Sequence, residues 1–244
     1  IKWSENLKNH LEAKKKVRYL NKYIVISHYR PYTKMFFYAN KTLNDRLTQN
    51  HYDFFGTDLN RENICIWFKT GSEWPFFALA TNIVHDHLPQ GGSKTLPFYT
   101  YDADGKRKEN ITDWGLAQFT AHYKDTSITK LAIFHYTYAV LHYPQYKAKY
   151  ELNLKREFPH IPFYDDFQKW AAYGKALMNL HIEYETAEPY PLEQIDEELK
   201  KGSLIVAKLK VKKEEGIIVL DSKTELHGVP PQAWAYRLGL SLIH

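Results

Sequence analysis

Residues Ile133 to Phe163 constrain the fold more than any other stretch of the chain. A helix expected over Thr129–His142 carries Leu131, Ile133, Phe134, Tyr136, Tyr138, Ala139, Val140 and Leu141, apolar on almost every side, so it must be enclosed by protein. Pro144 then opens a second helix, because a first helical turn needs no N–H from that residue. Tyr146, Tyr150, Leu154 and Phe158 follow four apart on one face and are expected to be buried, with Lys147, Lys149, Glu151, Lys155 and Arg156 opposite. Pro159 and Pro162 stop it. Asp165 or Asp166 caps a third helix whose stripe of Phe167, Trp170, Ala171, Gly174, Leu177 and His181 packs inward, Gly174 permitting a close approach. Glu188-Pro189-Tyr190-Pro191 reads as a stiff connector to a short acidic helix over Leu192–Lys201, ended by Gly202.

The flanks have a different period. Ser4 is expected to cap a helix reaching about Leu20, its lysine-rich end complementing the dipole. Tyr23–Ala39 reads as two strands around the turn Arg30–Lys34. Asn63–Lys69 and Phe76–Ile83 read as a hairpin joined by Thr70–Glu73, and Leu96–Tyr101 as a short strand closed by Asp102–Gly105. Two strands, Leu204–Val211 and Gly216–Leu220, end the series. The expected class is α+β: a mixed or antiparallel β-sheet region plus a helical block of about three to four helices. Within one domain spanning 1–244, residues 1–125 are expected to be mostly β with an N-terminal helix, 126–201 helical, and 203–238 a β-rich tail.

Composition narrows the function classes. The one cysteine, Cys65, excludes an internal disulfide framework and multi-cysteine zinc sites and suits a reducing cytoplasm. No apolar run reaches the roughly 20 residues that span a bilayer, so no membrane partner is expected. The net charge of +5 is uneven: Lys2, Lys8, Lys14, Lys15, Lys16, Arg18 and Lys22 stand against Glu5 and Glu12. That balance favours an acidic partner such as nucleic acid. Without an initiating methionine, the chain is expected to be a piece of a longer polypeptide.

Catalytic patterns fail one by one. Gly91-Gly92-Ser93-Lys94-Thr95 lacks the glycines of a phosphate-binding loop, at Ser93 and at Leu88. His85-Asp86-His87 has no third metal ligand nearby, and Glu12-Ala13-Lys14 has no preceding acidic strand to complete a nuclease signature. His135 and His142 are expected as hydrogen-bonded core or rim histidines rather than an acid–base pair. No Gly-x-Ser-x-Gly elbow and no Asn-Pro-Pro-Tyr methyltransferase motif occurs. What remains is binding chemistry. Arg30, Lys34, Arg46, Lys94, Lys106, Arg107, Lys108, Lys147, Lys155 and Arg156 sit among tyrosines and asparagines, the groups that contact phosphates and base edges. A solvated basic surface would look the same.

Several short motifs, in one order along almost the whole chain, carry a resemblance. Tyr29-Arg30-Pro31-Tyr32-Thr33-Lys34, then Phe37-Tyr38-Ala39-Asn40 and Leu43-Asn44-Asp45-Arg46, resembles the Tyr-Arg-Pro-Phe-Thr-Lys block of the single-polypeptide, ATP-dependent restriction-modification enzymes of type ISP. Asn63-Ile64-Cys65-Ile66, Leu96-Pro97-Phe98-Tyr99-Thr100-Tyr101, Ile133-Phe134-His135-Tyr136 through Pro159-His160-Ile161-Pro162, Leu180 to Glu185, and Leu226-His227-Gly228-Val229-Pro230-Pro231 continue the series. The resemblance implies a C-terminal specificity, or target-recognition, domain that binds double-stranded DNA at a short asymmetric site. The same polypeptide's methyltransferase region would flip out and N6-methylate the adenine there. It implies no cofactor and no catalytic residue in this stretch, with S-adenosylmethionine, ATP and Mg used elsewhere in the parent enzyme. On that reading Arg30, Lys34, Lys94, Lys147, Lys155 and Arg156 are candidate phosphate contacts and Gln90, Ser93 and Asn110 candidate base readers. Tyr32 replaces the family's phenylalanine, and His160 replaces an arginine. The end, Leu240-Ser241-Leu242-Ile243-His244, departs from the family's Asn-Arg-Ser continuation, so a truncated C-terminus with an uncovered apolar surface is expected. The competing reading is a module that packs against the methyltransferase region without touching bases.

Overall fold

The lysine-rich start closes its helix sooner than its composition predicts. Helix α1 covers Glu5–Glu12 and ends where Lys14 turns left-handed (φ 53°) and the Lys15 N–H donates back to the His10 carbonyl at 2.9 Å. That closure satisfies the carbonyls of Asn9, His10 and Leu11 and leaves 15–20 outside any helix or strand. The computed structural model describes residues 5–44, 47–70, 76–85, 93–199 and 202–236, so the expected Ser4 cap lies outside the described residues. The chain forms two units, Ile1–Glu185 and Thr186–His244, the division falling just before the proline connector.

In the first unit, β1 (Ile24–Arg30) and β2 (Thr33–Tyr38) form the expected antiparallel hairpin, running from Ile24 opposite Tyr38 to Arg30 opposite Thr33. Helix α2 (Gln49–Phe55) is an addition to the expected layout; Thr48 caps it, its N–H donating to His51 Nδ1 at 3.1 Å. Strand β3 (Cys65–Lys69) pairs antiparallel with β4 (Phe77–Thr81), as the hairpin reading required. The two-residue β5 (Val84–His85) runs parallel to β1, and β6 (Lys94–Pro97) joins the other edge of β3. The single strand expected over Leu96–Tyr101 is two strands. Pro97 has no N–H to extend the ladder. At Phe98 the backbone bonds both Ile64 and Asn110, after which β7 (Tyr99–Tyr101) pairs with β8 (Arg107–Glu109).

All five residues of β3 are buried because its two faces meet two cores. Ile66 and Phe68 join Ala78 and Ala80 in the large core, while Cys65 packs with Val25, Phe55, Leu59 and Val84 in a small one. Asn63, just before β3, is 1% exposed and uses both ends of its amide: Nδ2 donates to the Phe54 and Tyr99 carbonyls, and Oδ1 accepts from the Ile64 and Tyr99 N–H groups.

The helical block begins earlier than the expected boundary at residue 126. Helix α3 (Asp113–Tyr123) lies in the stretch read as β; the Thr112 hydroxyl caps it, accepting from the Gly115 N–H at 3.0 Å, and Leu116, Phe119 and Tyr123 pack against the large core. Helix α4 (Lys130–His142) buries eight residues, as its all-round apolar character demands. The second expected helix is interrupted at Tyr150 (φ −109°, ψ 20°), giving α5 (Pro144–Lys149) and α6 (Glu151–Leu154). Tyr146 and Leu154 are buried and Tyr150 half-buried, but Phe158 is 54% exposed, against expectation. The cause is tertiary: the Thr70 hydroxyl, at the end of β3, reaches the Leu154 and Glu157 carbonyls and pulls the chain off the helical path. Helix α7 (Phe167–Ile182) starts at Asp166, whose carboxylate accepts from the Lys169 N–H, and crosses α4 at Gly174.

In the second unit, β9 (Glu193–Asp196), β10 (Ala207–Lys212), β11 (Ile217–Asp221) and β12 (Thr224–His227) form an antiparallel sheet in the order β10-β11-β12-β9. Strand β9 replaces the acidic helix expected over 192–201. Glu193 and Glu197, and likewise Glu198 beside them, would crowd like charges along a helix. Extended, Asp196 instead accepts from the Thr224 hydroxyl at 2.8 Å. Among the described residues no helix is long and apolar enough to cross a membrane.

Candidate nucleic-acid interface

The candidate contacts fall into three groups, all in the first unit. The first lies where β5 and β6 flank residues 86–92, which include Gln90 and lie outside the described residues. Trp67 is fully buried; its indole N–H donates to the Ser93 hydroxyl at 2.7 Å, and its ring lies 5.0 Å from that of His85. His85 Nε2 meets the Thr95 hydroxyl at 2.7 Å. Ser93 is thus buried in a core hydrogen-bond network, and reading a base would require it to leave Trp67. Its neighbour Lys94 is exposed and makes no ion pair among the described residues. Asn110 is exposed, yet its side-chain amide donates to the Pro97 carbonyl at 3.1 Å.

The second group is the β1–β2 turn. Arg30 is exposed, with its guanidinium 5.3 Å from the centre of the Tyr29 ring. Lys34 is not comparably available: its ammonium lies 2.7 Å from Glu185, over the Tyr184 ring, with only 21% of the side chain exposed. Glu185 is held below the ordinary carboxylate range by that hydrogen bond. Beside the pair sits His28, 1% exposed, with neither ring nitrogen hydrogen-bonded among the described residues. Burial, helped by Lys34 and opposed by Glu185, pushes its pKa down to about 4.

The third group is the α5–α6 turn. Lys155 pairs with Glu151 at 2.7 Å one helical turn away, whereas Arg156 is exposed and unpaired among the described residues. Lys147 is half-buried, and burial lowers its pKa. His160, 84% exposed at its side chain, stands 3.7 Å from Glu157 on the rim of a concavity of about 270 Å³ floored by Tyr146, Tyr150 and Leu154.

Among the described residues, then, Arg30, Lys94 and Arg156 are exposed cations without an ion pair, whereas Lys34, Ser93 and Lys155 have partners within the fold. Sequence reasoning missed Trp67, His28 and His85 as the scaffold between the first two groups. Its signal was present in Cys65-Ile66-Trp67-Phe68-Lys69, apolar on both faces, as a strand between two cores must be. Of the histidines expected in or beside the core, His135 and His181 are buried and His142 is half-buried. Tyr138 Oη accepts from the Ala80 N–H at 2.8 Å and is hydrogen-bonded to His181 Nδ1, while His142 places its nitrogens 2.8 Å and 3.0 Å from the Tyr138 and Ala78 carbonyls. The described residues contain no group of three or more His, Cys, Asp or Glu side chains arranged to hold a metal.

The fold is thus α+β, with mixed and antiparallel sheets, a helical block and several exposed cations. Residues 1–240 match the type ISP C-terminal specificity domain, and the chain belongs to that family. No curated protein matches the chain. Among solved structures it is similar to the DrdV–DNA complex determined by cryo-electron microscopy, at 41% identity and a TM-score of 0.91, covering 98% of this chain and 25% of that one. It is also similar to a nuclease-deletion mutant of the type ISP restriction-modification enzyme LlaGI in complex with a DNA substrate mimic (26% identity, TM-score 0.76, 97% of this chain and 21% of that one). A third is the ATP-dependent type ISP restriction-modification enzyme LlaBIII bound to DNA (25% identity, TM-score 0.80, 98% and 16%). This chain thus spans a quarter or less of the length of each of those chains.

Proposed function

We propose that this chain recognises a short asymmetric site in double-stranded DNA on behalf of a larger restriction-modification polypeptide, and is itself non-catalytic. The observation that carries the reading is family membership over 1–240, spanning both units, together with a fold shared with chains solved on DNA. The two units would then act as one recognition domain, in the cytoplasm. The methyltransferase region of the same polypeptide would be its partner, with S-adenosylmethionine, ATP and Mg bound outside these residues. Arg30, Lys94 and Arg156 would meet phosphates, with Lys147 and His160 as further contacts; base reading would fall to Gln90, and to Ser93 and Asn110 on release from Trp67 and Pro97.

The test is an anisotropy titration of the parent polypeptide on duplex DNA at several salt concentrations. Lys94→Ala and Arg156→Ala should each weaken binding to every sequence and lower the salt slope by about 0.9, one phosphate contact apiece. Salt-independent binding, or none, would remove the reading.

One observation favours a second role. On β1 and β2, Ile26 lies opposite Phe36, and these with Ile24 are 49%, 80% and 44% exposed respectively. Such an apolar ridge suits packing against the methyltransferase region. Phe36→Ser would then uncouple methylation from DNA affinity, lowering the first and sparing the second.

A further inference from the structure

The turn that carries Arg30 is built in an unusual way. Strand β1 has one residue more than β2 between His28 and Arg30, leaving Tyr29 without a partner in the ladder. Such a bulge bends the strand and re-aims the side chains beside it. Pro31 and Tyr32 form the centre of the turn, and Tyr32 has φ 54°, a left-handed conformation that glycine or asparagine adopts readily and a bulky residue does not. An aromatic residue at that position needs something to hold it. Its ring meets His181 edge-on at 5.9 Å and Tyr184 at 5.1 Å, so the turn is fastened to the end of α7. Lys34, on the far side of the turn, fastens it a second time through Glu185.

The result is a short platform whose exposed cation, without an acidic partner among the described residues, is Arg30, its guanidinium lying against the Tyr29 ring. A long side chain ordered in advance loses less freedom when it binds, and a planar guanidinium suits phosphate. We propose that Tyr32 is a positioning residue for DNA binding: clamped by His181 and Tyr184, it holds the bulged turn so that Arg30 is presented to a backbone phosphate. This rests on the DNA-reading function proposed above and adds to it a residue that touches no DNA.

The experiment uses the intact parent polypeptide and a duplex of arbitrary sequence, measuring affinity against salt together with melting temperature. Arg30→Ala should lower the salt slope by about 0.9. Tyr32→Gly fits the backbone better than tyrosine, so it should keep the melting temperature while losing the same increment of slope, and adding Arg30→Ala to it should cost nothing more. Tyr32→Phe should bind as the parent does. Should Tyr32→Gly melt early, Tyr184→Ala releases the same clamp from the helix side and should reproduce the loss. Parent-like slopes in the two clamp variants alongside a lowered slope in Arg30→Ala, or additive losses in the double variant, would overturn the positioning role and leave DNA reading intact. A parent polypeptide with no salt-dependent binding would instead overturn the function on which it rests.

Discussion

Gly174→Ala should destabilise the first unit by at least about 3 kcal/mol. A Cβ built at Gly174 would lie 1.7 Å from the His135 carbonyl oxygen, 2.5 Å from its carbon and 3.1 Å from the Ala139 nitrogen. Every obstructing atom is backbone of α4, so no side-chain rotation relieves the overlap. Taken alone, alanine would stabilise a helix interior by about 1 kcal/mol over glycine. The overlap outweighs that gain, because α4 and α7 must separate and open the core they share. Chemical denaturation checks it: the midpoint should fall well below that of the parent, and an unchanged or raised midpoint would show that the two helices do not meet at this point.

Acid should unfold the first unit early, through its buried histidines. His28 and His181 are each pushed down to about 4, both chiefly by burial, His28 further by Lys34 and His181 by His142. In the unfolded chain both protonate near 6.5. Since the folded pKa is the lower one, their neutral forms are kept without cost above about pH 7. As pH falls from 6.5 toward 4 the unfolded chain binds protons that the native state refuses, and roughly 3 kcal/mol per histidine is lost. His142 is also lowered to about 4, chiefly by burial and against the two carbonyls that face its ring, so it adds to the same loss. Melting curves between pH 7.5 and 4.5 should show the fall, and His28→Gln should flatten it. A melting temperature level from pH 7 to 5 would contradict the assignment.

Local patterns predicted local structure well. The apolar helix around Ile133–Leu141, the cap at Asp166 and the close approach at Gly174 all follow from side chains within a turn or two of one another. Two of the failures have a cause at a distance. Phe158 lies outside the core because Thr70 draws on the chain from β3, and 193–196 is a strand because β12 offers a partner. The site shows the same division. Exposed cations could be named from the sequence, but which of them are free could not: Lys34 is tied to Glu185, 151 residues away, and Ser93 serves Trp67. Those partners become neighbours only once the sheet and helices have packed.

The measurement that bears most directly on function is a domain exchange. Residues 1–240 would be replaced in the parent polypeptide by the matching region of a relative with a different target, and methylated adenines mapped across the host genome. Recognition by this domain predicts that the methylated motif changes to the relative's. An active chimera that still methylates the original motif would contradict it.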